Sequence, residues 1–72
     1  MRRTLDLSKQ FCLVKDKQPV QILKTNLNNG VPYLAVVHYP STDIVIRLTE
    51  HGDGYSCEGF RNQDYDVENA DG

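Results

Sequence analysis

The sequence predicts an all-β fold: a small five-stranded antiparallel meander or SH3-like barrel, followed by an acidic C-terminal tail. Three observations carry that prediction. Short apolar runs alternate with period two, as a strand buried on one face requires. Clusters of Gly, Pro, Asn and Asp separate those runs at regular spacing. No window of the 72 residues places apolar side chains at i, i+3, i+4 and i+7, so no amphipathic helix is expected.

The first strand is Phe11-Cys12-Leu13-Val14, which pairs with Val20–Leu23 across Lys15-Asp16-Lys17-Gln18. In the second strand Val20 and Ile22 alternate with Gln21. Asn28-Asn29-Gly30 tolerates positive φ and joins it to the third strand. Pro32 suits a strand's first position, where no ladder donor is lost. Tyr33 through Tyr39 is apolar on both faces apart from His38. That is the pattern of a central strand covered on both sides, by its own chain or by a partner.

Pro40-Ser41-Thr42-Asp43 turns into the fourth strand, where Ile44, Ile46 and Leu48 alternate with Val45, Arg47 and Thr49. His51-Gly52-Asp53-Gly54 turns into the fifth, Tyr55 to Phe60. Leu5 and Leu7 also alternate and would cap the sheet as an extra edge strand. The expected core is Leu13, Val20, Ile22, Leu34, Val36, Ile44, Ile46 and Leu48.

Residues 1–60 therefore read as a single β domain. Residues 61–72 read as an acidic tail with two possible fates. Its few large apolar residues, Tyr65 and Val67, bury too little to offset ordering entropy, so it frays as a disordered end. Alternatively it docks as an extra strand, with Asp64, Asp66 and Glu68 on one face and Tyr65 and Val67 on the other.

Charge is uneven along the chain. Residues 2–24 carry six Lys or Arg against Asp6 and Asp16, a balance of +4, and residues 25–72 carry Arg47 and Arg61 against eight carboxylates, a balance of −6. Such polarity steers charged partners or favours self-association. Arg2 and Arg3 are followed by no apolar h-region, so the N-terminus does not read as a secretory signal. No run approaches the roughly 18 apolar residues of a membrane span. A cytoplasmic protein without a membrane partner is the expectation, with Cys12 and Cys57 as thiols in a reducing compartment.

Leu5-Asp6-Leu7-Ser8-Lys9, then Asp16-Lys17-Gln18-Pro19-Val20-Gln21-Ile22-Leu23, then Pro32 before an apolar strand and Gly52-Asp53-Gly54-Tyr55 before the last, form a recognisable series. Over residues 4–60 the chain resembles small β-rich proteins of tailed phages and prophages. Those open with Leu-Asp-Leu-x-Lys and continue into an Asp-Gly-x-Pro-Val-x-Ile-Leu hairpin. Lys17 stands where that pattern prefers Gly, and Gln10 where it often has Pro. The resemblance implies phage origin, with the host-cell cytoplasm as location; it implies no particular activity and assigns no site residues.

Catalytic and cofactor chemistry find little footing. Cys12, His38, His51 and Cys57 are zinc-ligand types but lack C-x-x-C or H-x-x-x-H spacing. Asp64-Tyr65-Asp66-Val67-Glu68 lacks the glycine a calcium loop needs at its sixth position. No Gly-rich phosphate loop precedes a helix. The expectation is a protein without catalytic residues and with no cofactor or metal.

Binding functions remain. The leading one is a non-enzymatic protein-binding module, in its phage version an inhibitor of a host protein such as a defence factor. Arg2, Arg3, Asp64, Tyr65, Asp66 and Glu68 are its candidate contacts, since they place complementary charge at the two ends. The alternative is a small-barrel nucleic-acid binder, with Phe11, Tyr33 and Tyr39 stacking bases and Lys15, Lys17, Lys24 and Arg47 meeting phosphates. Net charge of −2 disfavours nucleic acid. The third reading is a structural or assembly component that acts through a homo-oligomer.

Overall fold

A computed structural model describes residues 4–27 and 30–70. The fold is all-β. Six strands among the described residues form one antiparallel sheet: β1 (Phe11–Leu13), β2 (Pro19–Lys24), β3 (Tyr33–His38), β4 (Asp43–Leu48), β5 (Gly54–Ser56) and β6 (Val67–Asn69). The order is β5-β4-β3-β2-β1-β6, so five strands follow as a meander and the sixth returns to pair with the first. A single 3-10 turn, Gln63–Tyr65, precedes β6.

The sixth strand lies within the segment read as a tail. Leu13 pairs with Val67, Cys12 with Glu68 and Phe11 with Asn69. Val67 is buried in the core, and Tyr65 packs against it. Period-two alternation of Tyr65 and Val67 against acidic neighbours suits an edge strand with one dry face.

The sheet curls until its two ends meet. The Val67 N–H donates to the Gly52 carbonyl at 2.8 Å, and Leu5 N–H donates to Glu50 at 2.8 Å. Gly54 N–H donates to the Asp66 carboxylate at 2.9 Å, and Arg61 holds that carboxylate from the other side. The core inside the curl is Leu5, Phe11, Leu13, Val20, Tyr33, Ala35, Val37, Ile46, Leu48 and Val67, with Ile22 and Ile44 packed at its margin.

Three expectations need correction. β3 presents Tyr33, Ala35 and Val37 to the core, so Leu34 and Val36 belong to the opposite face. A strand apolar on both faces gives no periodic signal for choosing between them; Val36 is still buried, at 8% exposure, but outside the main core cluster, and Leu34 is half-buried. The fifth strand ends at Ser56, because the chain turns through Cys57–Gly59, with Gly59 at φ 98°, and returns as a bridge between Arg61 and Tyr55. Leu5 plugs the core from an irregular segment and Leu7 stays exposed, so the N-terminal alternation makes no edge strand. Asn28 and Asn29 of the expected turn between the second and third strands lie outside the described residues; Gly30 beside them has φ 75°.

Candidate functional site

Strand register divides the sheet's side chains into a core-facing set and an outer set. The outer set forms three rows running across the strands. At one end Cys12 and Pro19 are paired, followed by His38 and Asp43. The middle row is Gln21, Val36 and Val45. At the other end stand Lys24, Leu34, Arg47 and Tyr55.

The middle of this face is apolar. Val36 is buried at 8% exposure, Leu34 is half-buried, and Val45 is 42% exposed. β-branched side chains on β3 and β4 explain why these are strands, but solvation alone would favour polar residues at Leu34, Val36 and Val45.

Polar groups at the rim are organised. His38 Nδ1 lies 3.1 Å from Asp43 Oδ1, and its Nε2 lies 3.3 Å from Gln21 Oε1. The Arg47 guanidinium donates to the Val31 carbonyl at 2.8 Å. Cys57, exposed beside Tyr55, donates its thiol to the Val45 carbonyl at 3.0 Å. An open cleft lined by Val31, Arg47, Tyr55, Cys57 and Gly59 continues the face beyond Arg47.

The candidate contacts from the sequence fall elsewhere. Arg2 and Arg3 lie outside the described residues. Asp66 and Glu68 are engaged within the chain: Arg61 and the Gly54 N–H hold Asp66, and Lys17 pairs with Glu68. The Glu68 carboxylate raises the Lys17 ammonium above its ordinary range by that hydrogen bond. Tyr65 packs on the core, and only Asp64 of the four acidic-segment candidates projects from an exposed position without such a role.

The nucleic-acid candidates do not converge. Tyr33 and Phe11 are each 8% exposed and face the core, so neither offers a ring for a base. Tyr39 donates its hydroxyl to Asp16 at 3.2 Å; burial first, then that carboxylate, push its phenol up. Lys15 and Lys17 sit in the β1–β2 turn, whereas Lys24 ends β2 about 20 Å away along the strand.

Cys12 is buried and Cys57 exposed, both as free thiols, and burial raises the Cys12 thiol, with the Glu68 charge adding to it. No group of three or more His, Cys, Asp or Glu among the described residues could hold a metal ion. No described helix is long and apolar enough to cross a membrane.

Leu34 and Val36, both expected in the core, point away from its cluster, although Val36 is buried there as well. The signal was present in Tyr33–Tyr39, whose two apolar faces exceeded what one small core can use. No family model matches the chain, and neither the curated proteins nor the solved structures gave a match.

Proposed function

We propose that this protein is a non-enzymatic protein-binding module whose docking surface is the outer face of β2–β5. One observation carries the reading: register turns Leu34, Val36 and Val45 side by side away from the core cluster, with Leu34 half-buried and Val45 42% exposed. Exposed apolar side chains scattered singly need no explanation, but an adjoining set at the centre of a sheet marks an interaction surface. Polar and charged residues at both ends of the strands give it the dry centre and wet rim of an interface.

The likeness to phage-encoded β proteins directs this reading toward a host protein as target, occluded rather than chemically altered. A nucleic-acid partner draws less support, since two of its three stacking rings are in the core and its lysines are dispersed.

The test is affinity capture from host cells with the full chain and with Val45→Glu. Val45 is exposed, so the substitution leaves the core intact while charging the centre of the face. Stoichiometric capture of a protein by the native chain and its loss with Val45→Glu is the expected result. Capture unaffected by the substitution would place docking elsewhere.

A further inference from the structure

We propose that Asp53–Gly54 is a site of spontaneous backbone modification: Asp53 isomerises through a succinimide when the two ends of the sheet part, and the Asp66 carboxylate holds this reaction back. The inference is independent of the outer face and its partner.

Among the described residues no other aspartate is followed by glycine. Lacking a Cβ, glycine leaves its amide nitrogen unhindered, so that nitrogen can reach the carboxyl carbon of the residue before it. A bond forms between Gly54 N and Asp53 Cγ while the bond from Cγ to its hydroxyl oxygen breaks. The hydroxyl leaves with the amide proton as water. A second water then opens the ring. Attack at the side-chain carbonyl restores aspartate, and attack at the main-chain carbonyl leaves the chain running through Cβ and Cγ.

Closing the sheet demands the glycine. Gly54 opens β5, and a Cβ there would run into the backbone of Tyr65. The labile step is therefore built into the seam where the two ends meet.

Closure also suppresses the chemistry. The Gly54 N–H donates to Asp66 Oδ1 at 2.9 Å. The lone pair that the nitrogen exposes on losing this proton points at Asp66, whose oxygen occupies the place that the attacked carbon must take. The carboxylate charge further opposes an anion on the adjoining nitrogen. Ring closure also rotates the Asp53 main chain, and bonds on both sides resist that. The Asp53 N–H donates to Thr49 Oγ1 at 3.1 Å, and the Asp53 carbonyl accepts from the Thr49 N–H at 3.1 Å. The Gly54 carbonyl accepts from the Asn62 N–H at 3.0 Å.

The isomerised chain does not close again. Its main chain is one carbon longer between Asp53 and Gly54, and Gly54 has no room to shift against Tyr65. A transient opening becomes a lasting one.

Ageing the full chain at mildly acidic pH, with isoaspartate located by peptide mapping, tests this. Mapping separates Asp53 from the Asn29–Gly30 and Asp71–Gly72 steps. The native chain should isomerise at Asp53 at least about tenfold more slowly than the chain unfolded in urea, because the rate follows the population of the open form. Asp66→Ala should raise the native rate about tenfold. Asp66→Asn keeps an acceptor for Gly54 without the charge and should raise it by a smaller factor, which covers an alanine variant that does not fold. Ile46→Val thins the core away from the seam and should leave the rate unchanged.

A native rate equal to that in urea overturns the gating, as does an Asp66→Asn rate equal to the native one. Ile46→Val matching Asp66→Asn would assign the reaction to global unfolding instead. The Val67 amide, bonded to Gly52 in the native chain, should exchange faster in the purified isomerised form. Native protection there would overturn the lasting opening.

Discussion

The N–H of Val67 donates to the carbonyl of Gly52 at 2.8 Å, and the two backbones are so close that a Cβ on Gly52 would lie 2.2 Å from the Val67 carbonyl oxygen. These residues belong to opposite ends of the sheet, the turn before β5 and the start of β6. Their contact is what turns a six-stranded ribbon into a curled half-barrel with an interior. Gly52 also has φ 89°, in the left-handed region that a side chain disfavours.

Gly52→Ala therefore meets two penalties together. The positive φ costs about 1–2 kcal/mol, and displacing β6 from the turn adds the loss of the closing hydrogen bond and of Val67 packing, about 2 kcal/mol more. Gly59→Ala supplies the comparison, because Gly59 has φ 98° but open space around it. Thermal unfolding should show Gly52→Ala falling well below Gly59→Ala. Equal melting temperatures would mean that the seam is not closed in solution.

Asp66 makes a separate bid for the same seam. Its carboxylate accepts from the Gly54 N–H and pairs with both terminal nitrogens of Arg61, whose guanidinium also reaches the Gly54 carbonyl at 3.0 Å. Asp66→Ala leaves the Gly54 donor and the Arg61 charge without their acceptor, a change worth about 1.5–3 kcal/mol for a partly buried charged hydrogen bond. Asp64→Ala should cost far less, since Asp64 is exposed and its nearest role is a backbone bond to Asn62. Chemical denaturation of both variants measures the difference, and a similar midpoint for the two would remove Asp66 from the closure.

Strand positions were legible in the sequence and their faces only partly so. β2 and β4 carry an apolar residue at every second position, and Val20, Ile22, Ile44, Ile46 and Leu48 face the core or its margin as that spacing says. β3 lacks that contrast, and the shift by one residue follows from it. The tail's strand was visible in the spacing of Tyr65 and Val67, but composition alone could not decide between docking and fraying. What decides it is tertiary: a glycine pair that admits β6 and an arginine that anchors Asp66. The outer apolar face could not be read because it depends on the same β3 register.

That register is testable on its own. Leu34→Ser changes a half-buried outer residue and should cost little, about 1 kcal/mol. Ile46→Ala empties a fully buried position and should cost about 2–5 kcal/mol. If Leu34→Ser proved as damaging as Ile46→Ala in urea unfolding, β3 would be facing the other way.

Lys17 has φ 61°, in the left-handed region that glycine adopts without strain. Its ammonium compensates by pairing with Glu68, but an exposed pair contributes little in water. Lys17→Ala keeps the backbone strain and loses the pair, whereas Lys17→Gly relieves the strain. The glycine variant should melt about 4–8 °C above the alanine variant. A higher melting temperature for alanine would show that the turn differs in solution.

Asp6 links the irregular N-terminal segment to β6 and gives the protein an acid-sensitive contact. Its N–H donates to the Asn69 side chain, which donates back to the Asp6 carbonyl. Its carboxylate accepts from the Ser8 hydroxyl at 2.6 Å and from the Ser8 N–H at 3.0 Å. Those bonds, the hydroxyl's first, hold the Asp6 carboxyl below its ordinary range. A depressed folded value means that the ionised carboxylate stabilises the fold above the unfolded carboxylate pKa of about 4. The contribution fades as pH falls through that value and is gone below the lowered folded one. Asp6→Asn should thus be less stable than the native chain at pH 7, with the gap closing as the pH falls below about 4. Carboxyl NMR titration gives the matching readout, because Ser8→Ala should move the Asp6 midpoint upward. A gap that persists at pH 2 would assign it to something other than this carboxylate.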